Sequence, residues 1–169
     1  MTPDQGIDLE TALAGTPPGH KEDLRLWLRM LSTVNLIEAE IRRRLREQFA
    51  TTLPRFDLMA QLDRMPDGLT LGEISRRLMV SNGNVTALAT SLVADRLVER
   101  RPHPTDRRVQ HLCLTPHGRR QFEEQSAAHE SWIADLFADI READRITLHQ
   151  LLGAMKAGVR HALTQEETV

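Results

Sequence analysis

A chain of 169 residues, 40% of them hydrophobic, can bury one core of ordinary size, which excludes general disorder and a disulfide-stapled miniprotein. The single cysteine, Cys113, excludes an internal disulfide framework and a zinc site of several cysteines, and a net charge of −2 gives no overall bias toward nucleic acid. No apolar run approaches the roughly 18 residues of a bilayer span, and residues 1–20 place acidic and proline positions where a secretory signal needs a basic start and an apolar stretch, so a soluble, cytoplasmic protein with no membrane partner is expected.

Residues 1–20, with three prolines and three glycines, read as a flexible arm, and residues 164–169 as a short tail. From Lys21 to about Gln48 there is neither proline nor glycine, and Leu24, Trp27, Leu28, Leu31, Val34, Ile41 and Leu45 recur at helical spacing along one long amphipathic helix. A second helix opens at Thr52 with Pro54 in its first turn, runs through Phe56, Leu58, Met59 and Leu62, and stops at Met65-Pro66-Asp67-Gly68. Thr70-Leu-Gly-Glu73 has the capping-box form and opens a short helix with Ile74, Leu78 and Met79 expected inward. Ser81 caps the next helix, whose apolar face carries Val85, Leu88, Leu92 and Val93. Two short helices joined so tightly form a helix-turn-helix, and Leu97–Pro102, a turn at Pro104–Asp106 and Val109–Leu114 complete a hairpin wing. Thr115-Pro116 starts a long helix that weakens near Asp139–Arg141, and a last helix carries Leu148, Leu151, Leu152, Met155, Val159 and Leu163.

The expected fold is therefore mainly α: a winged helix-turn-helix over about 53–118 with a two-strand wing, flanked by dimerisation helices 21–49 and 116–163 within one domain spanning 21–163. Charge follows that division, because residues 69–120 hold nine arginines against four acidic residues, while 121–169 carry an acidic excess. Arginine suits phosphates and guanine edges. Arg76, Arg77, Arg101, Arg107 and Arg108 are candidate DNA contacts, and Asp106 can pair with Arg108 across the wing turn to aim its guanidinium. Along the second helix of the pair, Ser81, Asn82, Asn84, Thr86 and Thr90 lie opposite the apolar face, where amides can read adenine and methyls can meet thymine.

Catalytic, cofactor and metal sites are not expected. There is no glycine-rich phosphate loop or nucleophile elbow, no Cys-x-x-Cys, and no histidine pair at metal-ligand spacing. His111 and Cys113 alternate on one strand, but two ligands do not make a metal site, and a mid-strand Cys113 reads as an inert thiol rather than a redox sensor. A metal- or redox-responsive DNA-binding regulator and a helical scaffold that only dimerises stay open as alternatives.

The run Asp106-Arg107-Arg108, followed by Leu114-Thr115 and Gly118, resembles the wing signature of the MarR family of transcriptional regulators, and Leu53-Pro54-Arg55-Phe56, Leu71–Leu78 and Ser81–Val98 resemble its second helix and helix pair. Arg96 departs from the glycine usual before Leu97-Val98 and must accept strain or end its helix differently. The resemblance implies a non-enzymatic homodimeric regulator, usually a repressor, bound to a pseudo-palindromic operator. It also implies release by a small anionic aromatic acid or its coenzyme A thioester. Polar Asn35, Glu38 and Arg42 fall within the apolar arc of the first helix; Glu38 and Arg42 can pair at i,i+4, or Arg42 or Arg29 can hold an effector carboxylate beside Trp27.

Overall fold

The computed structural model describes residues 21–102 and 110–166. The elements in chain order are α1 (Glu22–Phe49), α2 (Leu53–Asp63), α3 (Leu71–Leu78), α4 (Asn82–Ala94), β1 (Val98–Pro102), β2 (Gln110–Leu114), α5 (Pro116–Leu136) and α6 (Glu142–Glu166). They divide into two units with the boundary at His129–Glu130, inside α5. The expected arm at 1–20, the wing turn at 104–106 and the last three tail positions lie outside the described residues.

Local sequence accounts for most of the helix ends. Glu22 and Asp23 sit at the positive end of α1, Pro54 occupies the first turn of α2, and the Thr70 hydroxyl accepts from the Glu73 amide at 3.2 Å while the Glu73 carboxylate takes the Thr70 amide at 2.8 Å. Thr52 precedes α2 without making a side-chain cap, so Pro54 alone marks that start. Three helices end on non-glycine residues in the left-handed region: Ala50 (φ 49°), Met79 (φ 54°) and Arg96 (φ 59°). Met79 was expected in the core. Its left-handed cap takes it off the helical progression of α3, and it is 93% exposed, the reverse of that expectation.

In the first unit the core joins Ile41 and Leu45 of α1 to Phe56, Leu58, Met59 and Leu62 of α2, Ile74 of α3, and Val85, Ala89 and Leu92 of α4. Leu97, Val98, Leu112 and Leu114 close it from the wing, and the ring of Phe56 lies 5.5 Å from Phe122 and 5.0 Å from His129 on α5. β1 and β2 pair antiparallel from Val98 opposite Leu114 to Pro102 opposite Gln110, and Leu69 adds an antiparallel bridge to Leu112. Gly68 (φ 87°) precedes that bridge, where a Cβ would stand 2.5 Å from Cys113 Sγ.

In the second unit every residue of α6 through Gln165 is exposed within the single chain, including Ile146, Leu148, Leu151, Leu152, Met155, Val159 and Leu163. Among the described residues no helix is long and apolar enough to cross a membrane.

Candidate nucleic-acid interface

Val85, Ala89 and Leu92 anchor α4 in the core, and this turns Asn82, Gly83, Asn84, Thr86, Ala87 and Thr90 to the outside, all of them exposed. The Ser81 hydroxyl accepts from the Asn84 amide at 3.4 Å, leaving the N-terminal turn of the helix presented to solvent. Thr86 and Thr90 donate their hydroxyl protons to Asn82 O and Thr86 O, both at 2.8 Å. With the donors committed to their own helix, these side chains offer a methyl group and an acceptor lone pair outward.

The basic candidates among the described residues lie on the elements that flank α4 in the chain, α3 and β1. Arg76 and Arg77 are exposed in the last turn of α3, and Arg101 is exposed on β1, its guanidinium 2.5 Å from Glu99. Asp106, Arg107 and Arg108, with the salt bridge expected between the first and last, lie outside the described residues. Arg119 pairs with Asp63 at 2.7 Å.

The far end of α4 is held by contacts between residues that lie far apart in the sequence. Arg55 of α2 donates to Ser91 Oγ and lies 2.5 Å from the carboxylate of Asp95, the C-cap residue of α4. Arg96 N donates to Val93 O and Leu97 N to Leu92 O, both at 3.0 Å, so Arg96 occupies the left-handed position of a Schellman ending and accepts the strain. Thr115 Oγ1 donates to Arg96 O at 2.7 Å, and Gly118 N donates back to Thr115 Oγ1 at 2.9 Å. A Cβ on Gly118 would meet Leu97 O at 1.9 Å, so the spacing Leu-Thr-x-x-Gly clamps the start of α5 onto the chain leaving α4.

The effector candidates occupy α1. Arg42 Nη2 lies 2.5 Å from Glu38 Oε2, as the i,i+4 order allows, with side chains 49% and 40% exposed. Asn35, Arg29 and Trp27 are exposed, Trp27 at 55%. A helix rises about 1.5 Å per residue, so Trp27 and Arg42 stand about 22 Å apart along α1 and cannot grip one small aromatic acid within a single protomer. Asp57 on α2 is the residue the sequence did not single out. Burial, and then the Glu38 carboxylate, push its carboxyl above the usual range, while Arg42 pulls it back.

Among the described residues no group of three His, Cys, Asp or Glu could hold a metal. Cys113 is buried, and burial pushes its thiol pKa above the ordinary value, which disfavours the thiolate that redox chemistry needs.

An anchored helix-turn-helix with its polar face outward, a two-strand wing and a clamp leading into a long helix define a winged-helix DNA-binding transcriptional regulator. Residues 51–109 match the profile of the MarR family. The chain is 30% identical to a MarR family transcriptional regulator from Silicibacter pomeroyi, with a TM-score of 0.72 over 85% of this chain and 99% of that one. It thus belongs to the MarR family, whose members are regulators rather than enzymes. It is also 27% identical over 132 residues to YsmB, an uncharacterized HTH-type transcriptional regulator of Bacillus subtilis, covering 78% of this chain and 88% of that protein. CouR from Rhodococcus jostii, solved with p-coumaroyl-CoA, shares the fold at a TM-score of 0.67 and 15% identity, over 77% of this chain and 90% of that one.

Proposed function

We propose that two copies of this chain form a cytoplasmic repressor whose recognition helices, α4 of each copy, enter successive major grooves of a pseudo-palindromic operator. The observation that carries this reading is the outward face of α4, fixed at its start by Ser81 and at its end by Arg55 and the Thr115 clamp. Half-sites are then centred about 10 bp apart or a multiple of it. Asn84 pairs with adenine through its amide, and Thr86 and Thr90 set methyls against thymine. Arg76, Arg77, Arg101, Arg107 and Arg108 supply phosphate contacts. The exposed apolar face of α6 supports the two-fold assembly, because a patch of that extent is covered in a stable soluble protein.

Release follows binding of a small aromatic acid or its coenzyme A thioester, a reading supported by CouR and p-coumaroyl-CoA and by the Glu38–Arg42 pair. The ligand carboxylate replaces Glu38 at Arg42. Trp27 and Arg29, far along α1, act on a long thioester or from the other protomer. The test begins with duplexes selected by the protein from a random library. Asn84→Ala should lose about 1–3 kcal/mol on those duplexes and little on random DNA, whereas equal losses on both would reduce Asn84 to a backbone contact. For the effector, a panel of benzoates, hydroxycinnamates and their thioesters should release wild-type protein but not Arg42→Ala.

A further inference from the structure

Away from α1's effector candidates, the first unit contains a cleft of about 170 Å³ where the turn between α1 and α2 meets the C-cap of α4 and the first half of α5. Its polar lining consists of Thr51, Arg55, Asp95, His117, Gln121 and Gln125. Thr51 and Gln125 are buried polar residues, and Gln125 is only 2% exposed. Gln125 Oε1 is buried and has no hydrogen-bond partner. A buried carbonyl acceptor in that state favours a molecule whose donor meets it once the Gln125 side chain turns into the cleft. The cleft also holds Arg55, which donates to Ser91 Oγ and pairs with Asp95, and the second of these contacts is the replaceable one. The Arg55 side chain is 17% exposed and requires an anion, whereas the Asp95 carboxylate that now serves it is 54% exposed and loses little by turning to water.

We propose that this cleft binds a small aliphatic carboxylate bearing a hydroxyl or amino group, the carboxylate taken by Arg55 and the donor by Gln125 Oε1. Size supports the assignment, since the cleft falls below the roughly 300–1,000 Å³ of pockets for drug-sized ligands, which excludes a coenzyme A thioester. The site is separate from the effector reading above, and the two fail independently.

The probes are propionate, lactate, glycerate, alanine and serine, titrated into the full-length protein while the side-chain amide resonances of Gln121 and Gln125 are followed by NMR. Lactate, glycerate, alanine or serine should shift those resonances and bind at least about tenfold more tightly than propionate, which lacks the donor. Gln125→Met keeps the shape without the acceptor; it should melt no lower than wild type and lose that preference. Arg55→Lys should weaken all five because an ammonium cannot hold a carboxylate through a fork. Arg42→Ala should bind them as wild type does. The proposal is overturned if no probe moves the two amides, if propionate binds as tightly as the others, if Gln125→Met retains the preference, or if Gln125→Met melts well below wild type, which would show the amide already partnered.

Discussion

Gly118 and Arg96 illustrate how single residues decide the junction between α4 and α5. A methyl at 118 would occupy the space of Leu97 O, so Gly118→Ala should cost more than about 2 kcal/mol in equilibrium unfolding, through backbone displacement rather than lost contacts. Arg96 stands in a conformation that glycine adopts freely. Arg96→Gly should therefore raise stability by up to about 1 kcal/mol, and an unchanged or lower midpoint in urea would show that the arginine side chain repays its strain. Asp57 acts through its proton. With its carboxyl raised in the folded chain, the native state holds that proton more tightly than the unfolded state does. Its contribution is full below the ordinary carboxylate range and is lost as pH rises through the raised value, so Asp57→Asn should gain on wild type between acid and neutral pH. Parallel unfolding curves across that range would remove Asp57 from the account.

Among the elements, α1 and the wing carry opposite electrostatic expectations. Glu40 is held down to about 2 by hydrogen bonds from Arg43 and Arg44, so its stabilisation is present above the ordinary carboxylate value and disappears as pH falls toward 2. Glu40→Gln should weaken the fold near neutral pH and match wild type in strong acid, which thermal melts across that range would register. On the wing, Arg108→Ala should weaken every duplex about equally and reduce the slope of log K against log salt by about one unit. An unchanged slope with unchanged affinity would remove Arg108 from the interface. The elements were legible because their signals are local: the Thr70–Glu73 box, the Ser81 cap, Pro54 and the Pro116 start each act within a few residues. Met79 was misread because a helical period was carried one residue past the end of α3, onto the left-handed cap itself. The outward face of α4 followed from periodicity, whereas Arg55 with Ser91 and Asp95, and Asp57 with Glu38, did not. Those partners lie 36, 40 and about 19 positions apart and meet only once the helices have packed, which no spacing rule encodes.

At the scale of the whole molecule, the bare face of α6 sets the expectation for assembly. Leu151→Glu alters a residue already 63% exposed, so the helical content of the chain should stay unchanged while sedimentation at micromolar concentration shifts from a two-chain to a one-chain mass. A wild-type chain that sediments as a folded monomer would contradict the two-fold reading. The same face has a consequence for how a cell counts this regulator. Where two chains must meet before an operator is gripped, occupancy at low abundance rises with the square of the number of chains made, so halving synthesis removes about three quarters of the bound complexes. If the two-fold reading holds, a newly made chain would carry the bare apolar face of α6 until it paired, and exposed apolar surface of that kind favours capture by chaperones and proteases. Scarcity would then lower both pairing and survival, and operator occupancy would fall more steeply than the number of chains.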